Sequence, residues 1–394
     1  MIALLVFRRF VDMSPTNLLG FTQQELADFA ENLGESRYRG KQLFQWLYAK
    51  GATSFAAMTD FSKDLRERLT AEYAIDFPTL EMSHRSHQDG TTKFLLALVD
   101  GAKIETVLIP PRIAFQNGSA SAEEEQRRLT VCISTQVGCP LDCKFCATAS
   151  MGYIRNLTVG EIVGQVLRAQ KTTEKNITNV VFMGMGEPLM NYDNVMKAAD
   201  IMITGIGIAA RRITVSTAGW ADRIKQMADE QRKVKLAISL HSANEETRTK
   251  LMPIAKRYGL QELISAIEYY YDKTGKRVTY EYIFFEGVND SSKDVGQFVA
   301  LARRVPCKIN VIPYHSIDFV APTGLSADLR PSKRMEEIVE ELRTHNLTVF
   351  VRGSAGEDID AACGQLAVTM EQKKPTRRHG TLQPHRRTVD RIAL

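Results

Sequence analysis

The chain is expected to fold as a full or partial α/β barrel, and three observations lead there. Runs rich in Val, Ile and Thr begin near Leu129, Asn179, Ile213, Val234, Val278, Ile309 and Val349, with helical stretches between them. Alternation at a spacing of about 30 residues calls for parallel strands joined by right-handed crossovers. Residues of special chemistry follow these strands: a cysteine cluster, Gly184-Met185-Gly186-Glu187-Pro188, Ser216-Thr217, Ser239-Leu240-His241, Asn310 with His315, and Cys363. Barrels build their sites at the carboxyl ends of their strands, so these segments point at one face. No Gly-x-Gly-x-x-Gly follows the first strand, which leaves a dinucleotide fold without support.

The region before the barrel reads as helical to about Phe77. Thr22 and Glu25 form a capping-box pattern ahead of Leu26, Phe29 and Leu33. A second helix is expected near Gly40–Lys50 and a third over about Ser62–Tyr73. Between the first two, Arg37-Tyr38-Arg39-Gly40-Lys41 reads as a basic turn, solvated or facing RNA. From Thr91 to Ile109 the pattern is strand-like and ends in Glu105-Thr106-Val107-Leu108-Ile109. Phe115–Gln126 has loop composition and reads as an insertion. Within the barrel, Thr158 and Glu161 repeat the capping box, and further helices are expected near Asn194–Ile203, Gln261–Tyr271, Asp294–Ala302 and Lys333–Arg343. The boundaries are therefore a helical N-terminal domain (1–80), linking strands and an insertion (81–128), a barrel with a C-terminal extension (129–370) and a tail (371–394).

Composition narrows the class. An apolar fraction of 44% over 394 residues excludes disorder as the main state. The early apolar run Ile2–Phe7 is far short of the roughly 20 residues a membrane span needs, and it lacks the flanks of a secretory signal. No membrane association is expected, and the expected compartment is the cytoplasm. From Glu371 onward seven Lys and Arg face two acidic residues, a net of +5 that equals the charge of the whole chain. A basic tail beside a balanced body suits a flexible arm for a polyanion.

Three of the six cysteines, Cys139, Cys143 and Cys146, fall within eight residues as C-x3-C-x2-C. In a cytosolic chain this spacing reads as metal binding rather than disulfides. Three thiolates in one loop can hold three corners of an iron–sulfur cubane and leave the fourth iron open. A zinc site is the alternative. It needs a fourth ligand, which His241 or Cys363 could supply.

The cysteine spacing, with an aromatic residue before the last cysteine, resembles the radical S-adenosylmethionine (SAM) superfamily. That resemblance implies a partial (β/α)6 TIM-type barrel, a 4Fe-4S cluster, and SAM chelated to the open iron. It places Gly186 and Glu187 at the methionine amino group, and Ser216 with Ser239, Leu240 and His241 at the ribose and carboxylate. Longer segments are similar to the RlmN/Cfr family of RNA adenosine methyltransferases over about Leu19–Leu366. They are Cys132-Ile133-Ser134-Thr135-Gln136-Val137-Gly138-Cys139, Asn156-Leu157-Thr158, Met183–Leu189, Ser239-Leu240-His241 and Asp358–Leu366.

The family resemblance implies methylation of C2 of an adenosine in 23S rRNA and beside the anticodon of some tRNAs. Two SAM molecules are used per turnover. C2 of adenine lies between two ring nitrogens and is electron-poor, so it cannot attack a sulfonium methyl, and a radical route is needed. Cys363 matches the family's methyl-carrying cysteine. Cys132 matches the second cysteine, which takes the C2 proton and leaves a disulfide with Cys363. Glu105 matches a proton acceptor; on composition alone it would be an exposed acid at a strand end. His315 stands where the family has an Asn near the cofactor, and it is expected to contact SAM. Cys307 is read as structural. Methylation at C8 of the same adenosine remains the alternative activity. The expected partners are the RNAs and an electron donor such as a flavodoxin, and the expected state is a monomer.

Overall fold

In the computed structural model, which describes residues 15–111 and 128–368, short amphipathic segments at the N-terminus form three helices, and Phe44 and Tyr48 pack against Gly205. The run Ile2–Phe7, the insertion Phe115–Gln126 and the tail 371–394 lie outside the described residues. Helix α1 (Gln23–Asn32) starts at the expected capping box: Thr22 accepts from the Glu25 amide and Glu25 accepts from the Thr22 amide. Helix α2 (Arg37–Phe44) begins earlier than Gly40 and runs on into a wider turn over Gln45–Ala49. The basic stretch Arg37–Lys41 is thus the start of a helix, not a turn. Arg37 pairs with Asp28 and Glu31, and Arg39 donates to Gln42 and the Asp60 carbonyl. Gly40 sits where the two helices cross; a Cβ there would lie 2.3 Å from the Leu26 carbonyl oxygen. Helix α3 (Lys63–Glu72) is capped by Ser62.

Ten strands form one sheet whose spatial order follows the chain. Strands β1 (Thr79–Arg85), β2 (Thr92–Ala97), β3 (Lys103–Ile109) and β4 (Thr130–Cys132) are antiparallel neighbours. From β4 onward all pairing is parallel, through β5 (Asn179–Phe182), β6 (Ile213–Thr217), β7 (Lys235–Ser239), β8 (Val278–Tyr282), β9 (Cys307–Val311) and β10 (Val349–Val351). The crossovers carry α4 (Val159–Thr173), α5 (Tyr192–Ile201), α6 (Ala221–Asp229), α7 (Glu245–Leu251), α8 (Leu260–Thr274), α9 (Ser292–Ala302) and α10 (Met335–Thr344). α7 and α8 share one crossover. The result is six β/α units and a seventh parallel strand, the expected partial barrel.

Further features differ from the expectation, the unforeseen helix α7 among them. The strand-like run Thr91–Ile109 is two strands, split by a turn at Asp100-Gly101 where Gly101 adopts φ +82°. Strand β1 was not expected because it is an exposed edge without alternation. Helix α6 was missed because half its buried face is alanine (Ala221 and Ala228 beside Ile224 and Met227), which leaves little periodic signal.

The sheet stays open, with β10 and β1 at its edges. The chain beyond β10 spans the gap. The Gly356 amide donates to Asp89, Asp358 accepts from the His87 amide, and Lys93 donates to the Asp360 carbonyl. Among the described residues no helix is long and apolar enough to cross a membrane.

The cysteine loop leaves the sheet through a small hairpin, Gln136–Gly138 against Tyr153–Asn156. Gly138 has φ +73°, and a Cβ there would lie 1.9 Å from the Gly152 carbonyl oxygen, whereas Gly152, at φ +67°, has open space around it. Gly138→Ala should therefore cost roughly 2–5 kcal/mol, from left-handed strain plus overpacking. Gly152→Ala should cost only the backbone share, about 1–2 kcal/mol. Denaturant midpoints check this; equal losses would contradict the close approach.

Candidate active site

The hairpin holds both ends of the cysteine loop, with the Cys139 amide donating to the Gly152 carbonyl at 2.8 Å. Leu141 is buried beneath the loop. The Lys144 amide donates to the Leu251 carbonyl at the end of α7, and the Cys146 amide closes a turn onto the Cys143 carbonyl. Phe145 stands edge-on to His241, with centroids 4.4 Å apart. Cys139, Cys143 and Cys146 consequently line one wall of a cleft enclosing about 850 Å³, mouth included. Burial pushes all three thiols above their ordinary range, and for Cys143 the neighbouring Cys139 and Cys146 push further. A bound cation reverses that balance and makes them thiolates.

The donor set fits an iron–sulfur cluster. Three soft sulfurs share a wall, yet among the described residues no three Cys, His, Asp or Glu side chains converge on a point that would hold one ion. That spread suits a multi-iron body with three protein ligands better than a closed zinc site. His241 is also ill-suited as a fourth zinc ligand through Nδ1, which accepts the Ile283 amide at 3.1 Å. Its proton is then on Nε2. Burial, aided by the charge of Arg248, lowers its pKa to about 3, so the ring is neutral.

The opposite wall is built from the turns after β5, β6 and β7. Gly184 packs against Ile133, and Gly186 takes φ +97° against Gln136. Glu187 joins two turns, its oxygens accepting the Leu189 amide at 3.0 Å and the Ala218 amide at 2.8 Å. Burial raises its pKa while those amides oppose the rise. Gly186, Glu187, Ser216, Ser239 and His241 all line the cleft. Leu240 does not. Strand alternation sends its side chain into the core while Ser239 and His241 face inward.

A second cavity adjoins the first. Cys132, at the end of β4, lines it with Val107, Val181 and His315. Cys363, Met183, Ile312 and Arg352 border both cavities. Two contacts hold Cys363 there: the Ala147 amide donates to the Gly364 carbonyl at 2.7 Å, and Thr148 donates to the Leu366 carbonyl at 2.6 Å. Burial pushes the Cys132 thiol up to about 12; the neighbouring Cys363 adds to the rise and Arg352 opposes it. His315 lines this second cavity. Its Nδ1 lies 3.2 Å from Glu357, and its Nε2 is buried without a partner. Cys307 borders neither cavity and donates to the Ala302 carbonyl, in keeping with a structural reading.

Two site residues escaped the sequence reading. Arg352 lies 3.4 Å from Glu281, which also accepts from Asn310 at 2.9 Å. A signal existed for both: Arg352 follows β10 as the other site residues follow their strands, and Glu281 interrupts the aromatic strand Tyr280–Tyr282. Glu105, in turn, is not an exposed strand-end acid. It lies within β3 and is fully buried, 3.4 Å from Lys93 Nζ. Lys93 donates its hydrogen bond to the Asp360 carbonyl, and neither Glu105 oxygen makes a well-aligned side-chain hydrogen bond. Burial lifts the carboxyl to about 7 against the pull of Lys93.

Comparison with known proteins matches residues 133–299 to the radical SAM superfamily and residues 16–75 to the ribosomal RNA large subunit methyltransferase N-terminal domain. Proteins named probable dual-specificity RNA methyltransferase RlmN from Flavobacterium psychrophilum, Clostridium novyi and a Synechocystis species are 42%, 41% and 40% identical. The alignments cover 89%, 89% and 91% of this chain and 97% of each relative. The crystal structure of a radical SAM methyltransferase from Sphaerobacter thermophilus superposes with a TM-score of 0.79 at 40% identity, over 89% of this chain and 99% of that one.

The burial of Glu105 has a measurable consequence. Its carboxyl titrates near 4.5 when unfolded and near 7 in the fold. Between those values the folded state keeps a proton that the unfolded state has lost. Glu105 thus contributes stability that is fully present below 4.5 and is lost as pH rises through 7. Glu105→Gln should remove this dependence. Across that window its unfolding free energy should gain on the wild type by on the order of 3 kcal/mol. Denaturant unfolding against pH checks it; a constant difference would contradict the shifted carboxyl.

Proposed function

Because the chain belongs to the RlmN family of radical SAM RNA methyltransferases, we propose that it methylates C2 of an adenosine in the peptidyl-transferase region of 23S rRNA, and of the adenosine beside the anticodon in some tRNAs. Its cofactors are a 4Fe-4S cluster and SAM. The observation that carries the reading is the position of Cys363 on the wall shared by two cavities, with the cysteine loop on one side and Cys132 on the other.

In this proposal Cys139, Cys143 and Cys146 hold the cluster, and Gly186, Glu187, Ser216, Ser239 and His241 surround SAM. The bound pair supplies one electron and, from it, a carbon radical. Cys363 acts from the cleft side first: its sulfur takes a methyl from one SAM, forming a carbon–sulfur bond as the sulfonium bond breaks. The methyl on Cys363 would then lose one hydrogen atom to that carbon radical, its carbon would add to C2 of the base in the second cavity, and the adduct would give up one electron to the cluster. Cys132 takes the C2 proton and attacks the Cys363 sulfur. A disulfide would form as the carbon–sulfur bond breaks, its electron pair going to the methylene carbon, which would take up a proton to become the methyl of the departing base.

Glu105 is diagonal to Cys132 on the sheet, because Cys132 pairs with Val107 two residues along the same face. A carboxyl titrating near neutrality can accept the proton onward. His315, with its unpartnered Nε2 in the second cavity, contacts the base side.

Anaerobic reconstitution with SAM and a ribosomal RNA fragment, followed by nucleoside mass spectrometry, tests the reading. 2-Methyladenosine is expected; 8-methyladenosine in its place would overturn the C2 assignment. Cys132→Ala should accumulate a protein–RNA adduct through Cys363, and Cys132→Ala with Cys363→Ala should not. Normal turnover by Cys132→Ala would remove Cys132 from the mechanism.

A further inference from the structure

Arg248, on α7, is the largest fully buried side chain among the described residues, at 1% exposure. One of its nitrogens is satisfied, with Nη2 donating to the Ala218 carbonyl at 2.6 Å. Nε and Nη1 have no partner. No ion pair to Arg248 is found among the described residues. Glu245, one turn back on the same helix, accepts instead from the Leu260 amide. The chain makes room for the guanidinium at Gly219, where a Cβ would lie 2.9 Å from Nη2. A buried guanidinium with two unmade donors is expensive, and such a group calls for an anion.

Its surroundings say which anion. α7 backs the cysteine loop, with the Leu251 carbonyl accepting the Lys144 amide. Arg248 lies close enough to Cys143 and His241 for each to sense its charge. Cys143 and His241 line the cleft and Arg248 does not, so its guanidinium stands outside the lining of the cleft. We propose that Arg248 is the fixed counter-charge of the iron–sulfur cluster, its two free donors serving anionic sulfur at Cys143. Thiolates and sulfides make such a cluster negative, and an added electron makes it more so in a medium of low dielectric. A permanent positive charge beside it favours the reduced state. The step is a one-electron transfer from an external low-potential reductant to the cluster, and Arg248 neither gains nor loses a proton. The inference concerns the cluster alone and does not depend on which carbon of adenine is methylated.

The test uses full-length protein reconstituted with iron and sulfide, with Arg248→Met and Arg248→Lys beside the wild type. Each is titrated with dithionite against mediators in the absence of SAM, and the reduced cluster is followed by electron paramagnetic resonance. Arg248→Met should bind a full cluster but lower the equilibrium constant for reduction about tenfold, about 59 mV for one electron. Arg248→Lys should recover most of that loss. Thermal unfolding supplies a second reading that does not need the loaded protein. Methionine fills a similar volume and removes an uncompensated charge. Without iron, Arg248→Met should therefore be at least as stable as the wild type, whereas cluster loading should stabilise the wild type more. An unchanged potential, or an equal loss of stability with and without iron, would overturn the proposal and leave Arg248 as an anchor for the Ala218 turn.

Discussion

The parallel sheet of this protein ends at β10 without closing, and the chain after it has to span the gap. That constraint organises the site. Residues 352–368 leave the sheet edge, dock on the β1–β2 turn through Gly356 and Asp358, and return over the cysteine loop through Gly364 and Leu366. Cys363 lies within the returning stretch, so the same contacts that cover the open barrel also hold its sulfur between two cavities. A fully closed barrel would have no such segment and no shared wall.

Charged side chains lie in and beside the interior of the sheet. Lys93 with Glu105, Arg352 with Glu281, and Arg248 with its unmet donors are each placed where apolar packing would be more stable. All three border the segment, the cavities or the cysteine loop. Their arrangement makes sense if the fold gives up stability to hold charge near sulfur and near a proton path. Arg352 is the clearest case. It is shared by both cavities, and its neighbours Cys363 first, then Glu281 and Cys132, raise its pKa while burial opposes the rise.

Much of this was legible from residues alone because it is local. The capping boxes at Thr22–Glu25 and Thr158–Glu161 both form, and the Cys139–Cys146 spacing does produce a single wall of sulfur. The rule that barrel sites sit at strand ends brought Glu187, Ser216, Ser239 and His241 together correctly. What residues alone do not show depends on contacts across the sheet. Leu240 stands between two inward residues, and only the pleat shows that its side chain faces the other way. His315 follows β9 on a loop whose course selects one cavity over another. The depth of Glu105 depends on residues 360–367 folding over it, more than 250 positions away in the chain. Arg248 carried no signal at all, since a basic residue in a polar helix normally faces solvent.

The central claim is that a methyl group reaches RNA by way of Cys363, and the hydrogens of that methyl report on it directly. The protein is supplied with SAM whose transferable methyl is fully deuterated and run for several turnovers, so that any methyl already on Cys363 leaves in the first. Product adenosine and released 5′-deoxyadenosine are weighed by mass spectrometry. Passage through a methylene carbon on Cys363 requires the product methyl to have lost one deuterium, with that deuterium found in 5′-deoxyadenosine. A product methyl that keeps all its deuterium, with none in 5′-deoxyadenosine, would mean direct transfer from SAM to the base and would contradict the role assigned to Cys363.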